Sequence, residues 1–120
     1  MNLVRLASLL LFLFLAVPAS AHTVNLSWTI SADDTATNCA ASGACHQTVY
    51  RAPGACSATS SFISLGVIAA TQGTFVDTAV PGGIWCYAVS FTLDGTESVK
   101  DSATVSLQPQ APTSLKATGT

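Results

Sequence analysis

Charge is scarce in this chain. Lys and Arg number 4 and Asp and Glu number 6 in 120 residues, for a formal net charge of −2. With no Lys/Arg cluster there is no electrostatic footprint for nucleic acid or an anionic membrane surface. The cysteines contain no C-x2-C pair, the spacing that tetrahedral zinc sites usually carry. No G-x-S-x-G elbow is present, and a Ser-His-Asp set drawn from abundant serines carries no spacing information. The acidic residues never reach D-x-D-x-D-G spacing, so Asp33, Asp34 and Asp94 read as solvated loop acids rather than calcium ligands. No segment outside the N-terminal leader has helical periodicity. These absences exclude most routes to chemistry, and no cofactor or catalytic residue is expected.

The leader itself is informative. Met1 to Arg5 is a short positively charged start, Leu6 to Val17 is apolar except for Ser8, and Pro18 breaks the run. Ala19-Ser20-Ala21 offers small residues where a signal peptidase reads. An apolar run of about a dozen residues is too short for a ~30 Å hydrocarbon core, which needs ~20 residues. Residues 1–21 are therefore expected to be a cleaved signal peptide, with His22 as the new N-terminus and no membrane span left. No Cys follows the cleavage point, which argues against a lipid anchor. The remainder is enough for one small domain. Its charges are Arg51, Lys100 and Lys116 against Asp33, Asp34, Asp77, Asp94, Glu97 and Asp101.

Cys39, Cys45, Cys56 and Cys86 make an even count in a chain read as exported, where oxidising conditions favour disulfides. Of the three connectivities, Cys39–Cys45 and Cys56–Cys86 is favoured. The first pair flanks a short Ser-Gly loop. In the second, an antiparallel strand beginning at Cys86 would start near the turn that delivers Cys56. The chain-entropy argument gives about 2.4 kcal/mol for the short loop and about 3.7 kcal/mol for the long one.

What is abundant is Thr, Ser, Val and aromatic residues in alternation, which is strand composition. His22 to Ile30 alternates, with Val24, Leu26, Trp28 and Ile30 on one face. Ser31 to Gly43 is a loop. Cys45 to Arg51 is a second strand, with Val49 inward and Tyr50 outward. A third runs from Ser61 to Ala70, bent near Gly66, and a short fourth from Thr74 to Asp77. Pro81-Gly82-Gly83 turns into a fifth, where Trp85, Tyr87, Val89 and Phe91 face inward and Cys86, Ala88 and Ser90 outward. Asp94-Gly95 is a hairpin signal, and Val99 to Leu107 is the sixth. Short strands at regular spacing predict an all-β antiparallel sandwich of six to seven strands over residues 22–107, followed by a linker and tail over 108–120.

Leu26-Ser27-Trp28-Thr29, Val49-Tyr50-Arg51, Thr74 to Thr78, the aromatic strand 85–91 and Gly95 to Ser98 together resemble the fibronectin type III family, an immunoglobulin-like sandwich. The resemblance covers essentially all of 22–107, each motif being short. Trp85 stands where that family usually has a corner Tyr, the cysteines are no family requirement, and no Arg-Gly-Asp triplet is present. The resemblance implies a first strand ahead of Leu26, and cleavage at Ala21 leaves no residues for one. Ala111 to Gly119, with Thr113, Leu115 and Ala117 on one face, looks like that strand displaced to the other end.

The expected function is a non-catalytic secreted module for binding, adhesion or extracellular assembly, with a protein or glycan partner. A trailing strand could fold back in cis, stay disordered, or insert into a neighbour as a homo-oligomer. The short linker after Leu107 favours the first two. An alternative is a copper protein, in which the N-terminal amine and imidazole of His22 chelate Cu(II) together with His46. Another is an accessory domain of glycan-active proteins, although Trp28, Trp85 and Tyr87 are expected in the core, leaving mainly Tyr50 outward. Asn25-Leu26-Ser27 fits a glycosylation acceptor, but its place in a strand favours coincidence.

Overall fold

A computed structural model describes residues 21–109 and 111–120; the expected signal peptide, apart from Ala21, lies outside the described residues. The described chain is all-β, with strands β1 His22–Ser27, β2 Cys45–Pro53, β3 Ile63–Ile68, β4 Thr74–Val80, β5 Gly83–Leu93, β6 Thr96–Glu97 and β7 Asp101–Leu107. They form two antiparallel sheets. One contains β1 and β4; the other has the order β3-β2-β5, with β6 and β7 sharing the far side of β5. The sandwich architecture is the one that the strand periodicity predicts.

Between the sheets lie Val24, Val80 and Tyr87, with Leu26, Leu65, Trp85, Val105 and Leu107 packed around them. Val49 is fully buried on β2. The apolar centre is small for a domain of this length, so covalent staples carry more of the stability than usual. The structure closes Cys39 to Cys45 and Cys56 to Cys86, the favoured pairing.

Three irregularities shape the sheets. Val49 pairs with Gly66 and Tyr50 with Ser64, leaving Leu65 as the extra residue of a β-bulge, so the bend expected near Gly66 has a concrete form. On β4, Val24 pairs with Asp77 while His22 pairs with Val80. The additional residue in between includes Ala79 at φ 59°, a left-handed conformation costly for alanine. This bulge reverses the in-out alternation, so Asp77 and Val80 both face the core. The third separates β6 from β7. Ser98 donates its N–H to the Phe91 carbonyl, and its Oγ accepts the Phe91 N–H. Val89 then pairs with Asp101 rather than with residue 100, and the inserted residue leaves Val99 93% exposed.

Several boundaries differ from expectation. β1 stops at Ser27 rather than Ile30 because its partner β4 starts opposite it, at Thr74. Trp28 instead donates its N–H to the Gly73 carbonyl. A side chain at Gly73 would stand 3.1 Å from the Trp28 carbonyl oxygen, so this close crossing favours glycine. The final strand is broken, as described, and begins at Asp101 rather than Val99. Cys86, Ala88 and Ser90 do lie on the outer face of β5, yet all three are buried. The disulfide draws the 54–61 loop across that face, where the Cys56 N–H meets Thr104 Oγ1.

Candidate binding seam

The side of the sandwich between β1 and β7 is open. Among the described residues β1 pairs with β4 alone and β7 with β5 alone, so each presents a free edge there. Leu26 and Trp28 form one wall and Ala103 and Asp101 the other, over a floor of Tyr87 and Val89. The hollow continues past Trp28 towards Phe91, Ser98 and Val99, where the bulge splays the strand. The openness shows on β7. Val105 and Leu107 are only half-buried, and Ala103, on the same face, is exposed.

Two polar clamps hold the small sheet over the large one. Asp77 Oδ2 accepts hydrogen bonds from Arg51 Nη1 and from the Tyr87 hydroxyl, each at 2.7 Å. Asp77 lies on the same face of β4 as Phe75, opposite the buried Val24, and Arg51 pairs with Tyr87 across β2 and β5. The guanidinium also lies over the Trp85 ring, 4.8 Å from its centroid. Burial pushes the Tyr87 hydroxyl up to about 12, and the neighbouring Asp77 carboxylate adds to the effect. Burial alone would weaken the Arg51 charge, but the bonds with Asp77 and Tyr87 outweigh it and its pKa is raised. The second clamp is Gln47, 2% exposed. Its Oε1 accepts the Trp28 indole N–H at 2.7 Å. Its amide nitrogen donates to the carbonyls of Ala69, Ala70 and Gln72.

Sequence reasoning missed both clamps. Asp77 stood at the end of an expected strand, and although it alternates with Phe75 onto the inner face, nothing in β4 foretells the Arg51 and Tyr87 partners that reach it from the other sheet. Gln47 does alternate with Val49 onto the inner face, which is the one signal that could have found it.

The residues singled out from sequence scatter. His22 opens β1 beside Val80, whereas His46 pairs with Thr92 at the opposite end of the sandwich, so the two cannot share a copper ion. Among the described residues no three His, Cys, Asp or Glu side chains cluster closely enough to hold a metal. Tyr50 faces outward as expected, but Lys100 lies 4.6 Å over its ring, Phe62 packs edge-on, and its hydroxyl donates to Glu97. That bond, with smaller help from Lys100, holds the Glu97 carboxyl below the usual range. Of the aromatics assigned to the core only Tyr87 is buried; Trp28 and Trp85 are half-buried, each with its indole N–H bonded. The rings of Trp85 and Tyr50 both carry a cation, which leaves neither free as a sugar platform. Thr113, Leu115 and Ala117 lie in a segment, 111–120, that is exposed throughout and forms no strand.

No family model matches the chain, and no curated protein or solved structure matches it. The class defined by fold and site is a disulfide-stapled all-β sandwich with an open seam between β1 and β7. The two bridges fit an oxidising environment, and among the described residues no helix is long and apolar enough to cross a membrane.

Proposed function

We propose that this chain is an exported, non-catalytic β-sandwich module that works by binding or assembly, and that the β1/β7 seam is its binding surface. The observation carrying this reading is the seam: an apolar trough beside an unpaired strand edge, held open by clamps and staples. Exposed edges pair with other strands unless they are blunted. β1 carries no Lys, no Pro and no inward charge on its six residues, so it lacks the usual blunting devices. Added strands gain affinity from main-chain bonds and selectivity from the pockets that take alternate side chains. The strand order β3-β2-β5-β7 opposite β1-β4 supports the fibronectin type III resemblance, and the leader supports export.

The test has two arms. Intact-mass measurement of the protein recovered outside the cytoplasm is expected to show a chain starting at His22 with all four cysteines oxidised. Titration of the mature protein with an extended peptide of alternating Thr and Leu is expected to shift NMR resonances at 22–27 and 101–103. Retention of residues 1–21 on the exported protein overturns the leader reading. Silence of the seam at millimolar peptide overturns the seam reading.

A further inference from the structure

We propose that the seam of one copy is filled by residues 111–120 of a second copy, running antiparallel to β1, so that copies join head to tail. This rests on the seam reading above and adds the occupant.

The argument begins with direction. β1 starts at His22 beside Val80, near the end of the sandwich where Leu107 pairs with Gly83. It finishes near Asp101, since Ser27 and Trp28 line the same hollow as Asp101 and Ser102. β1 and β7 therefore run in opposite directions along the seam. A strand antiparallel to β1 must come in at the Trp28 end and leave beside His22. Segment 111–120 leaves its own sandwich at the wrong end for this. Pro109 packs against Gly82 there. Thr113 is four residues on and reaches at most ~14 Å from it, whereas the seven residues of β7 span ~23 Å. The segment cannot reach the starting point in its own copy.

The remaining cis arrangement is a strand parallel to β1, and the structure does not adopt it. All of the described segment 111–120 is exposed, and Leu115 is 92% exposed. In a second copy the tether imposes no such limit, and the segment can come in from the Trp28 end.

Length and pattern then fit. Residues 111–117 extended span ~23 Å, against ~20 Å for the six residues of β1. Pro112 falls at the start of the added strand, where its missing N–H is tolerated. Thr113, Leu115 and Ala117 share one face and meet the apolar floor. Ser114, at φ 62°, opens to the extended conformation that a serine prefers. Lys116 is the segment's single charge; it falls near the His22 end of the seam and, alternating with Leu115 and Ala117, points away from the apolar floor. Because donor and acceptor surfaces differ, the contact is heterologous and propagates from copy to copy unless the rotation between copies closes it into a ring.

The experiment is complementation between two variants of the mature full-length chain. Leu115→Asp spoils the donor and Ala103→Arg blocks the acceptor; both sites are exposed, and near-UV circular dichroism checks each fold. Sedimentation of the parent chain from micromolar to millimolar concentration is expected to show mass rising with concentration. Each variant alone is expected to stay monomeric, with association weakened about tenfold to a hundredfold. Their mixture is expected to give a one-to-one dimer and nothing larger, since one intact tail meets one intact seam. A parent that stays monomeric at millimolar concentration overturns the proposal. So does association that survives Leu115→Asp, or a mixture that stays monomeric. Protection of the 113–117 amides that does not depend on concentration assigns the segment to its own copy, with the same result. Where any of these results overturns the proposal, binding of the Thr/Leu peptide to the Leu115→Asp chain shows that the seam reading stands and only this occupant falls.

Discussion

Replacing Asp77 by alanine tests how the two sheets are held together. Its Oδ2 takes both the Arg51 and the Tyr87 bonds, and the Arg51 and Asp77 side chains are 19% and 13% exposed. Fully exposed ion pairs contribute roughly 0.2–1 kcal/mol, whereas breaking a buried one costs roughly 3–5 kcal/mol because the surviving charge is stranded. This pair lies nearer the buried limit, and the Tyr87 hydroxyl loses its acceptor as well. Arg51 Nε is already buried without a partner, so its guanidinium has little else to turn to. We expect Asp77→Ala to cost about 3 kcal/mol and Asp77→Asn, which keeps an acceptor but loses the charge, about 1–2 kcal/mol. Total stability for a domain of this size is roughly 5–15 kcal/mol, so the alanine variant should lose a large share of it. Urea unfolding followed by tryptophan fluorescence reads the difference directly. An Asp77→Ala midpoint within about 0.5 kcal/mol of the parent would refute the clamp, because surface substitutions already scatter that much.

High pH approaches the same clamp from Tyr87. Its folded pKa of about 12 lies above the unfolded value of 10.0, so the neutral phenol is favoured in the fold. The corresponding stability, roughly 2–3 kcal/mol, is fully present below pH 10 and is lost as pH rises towards 12. Denaturation curves across that window should show the loss, and Asp77→Ala should reduce it. Gln47→Leu should cost roughly 2–4 kcal/mol by freeing the Trp28 indole and the 69–72 carbonyls, with the 69–72 amides losing protection in hydrogen exchange. Replacing Cys56 and Cys86 together by serine should cost about 3.7 kcal/mol, against about 2.4 kcal/mol for Cys39 and Cys45. Equal thermal shifts for the two double variants would contradict that order. Ala79→Gly should raise stability by up to about 1 kcal/mol, since it relieves a left-handed alanine at a smaller cost in chain entropy.

How much of this was legible in the sequence depended on whether a feature repeats. Alternation of Val24 with Leu26, and of Trp85, Tyr87, Val89 and Phe91, reports burial one residue at a time, so strand identity and inner face were readable. The disulfides were readable because Cys56 and Cys86 are tied to two strands whose antiparallel pairing follows from order. Bulges are not readable in this way. A single inserted residue near Ala79, Leu65 or Val99 leaves the composition untouched yet reverses every later side chain. Val80 reached the core through such a reversal, three residues after Asp77. Ala88 and Ser90 face outward as the alternation predicts, yet are buried on a face where Tyr50, the strand partner of Ala88, gathers Phe62, Glu97 and Lys100, a cluster that no periodicity of β5 encodes.

The clamps and the open seam are connected by a physical requirement. A two-stranded sheet is marginal alone in water, and β1 with β4 must stay docked to the larger sheet without a third strand beside β1. Apolar packing alone would favour sliding the small sheet across until the trough closed, since apolar contacts are not directional. Hydrogen bonds are directional. Asp77 is bonded to Arg51 and Tyr87, and Trp28 at the far end of β1 is bonded to Gln47. These two fixed points hold the position of the small sheet along the length of β1. The trough between β1 and β7 is then left open. On this argument, loosening either clamp should weaken strand capture at the seam even where the fold survives, because the opening it needs is no longer held.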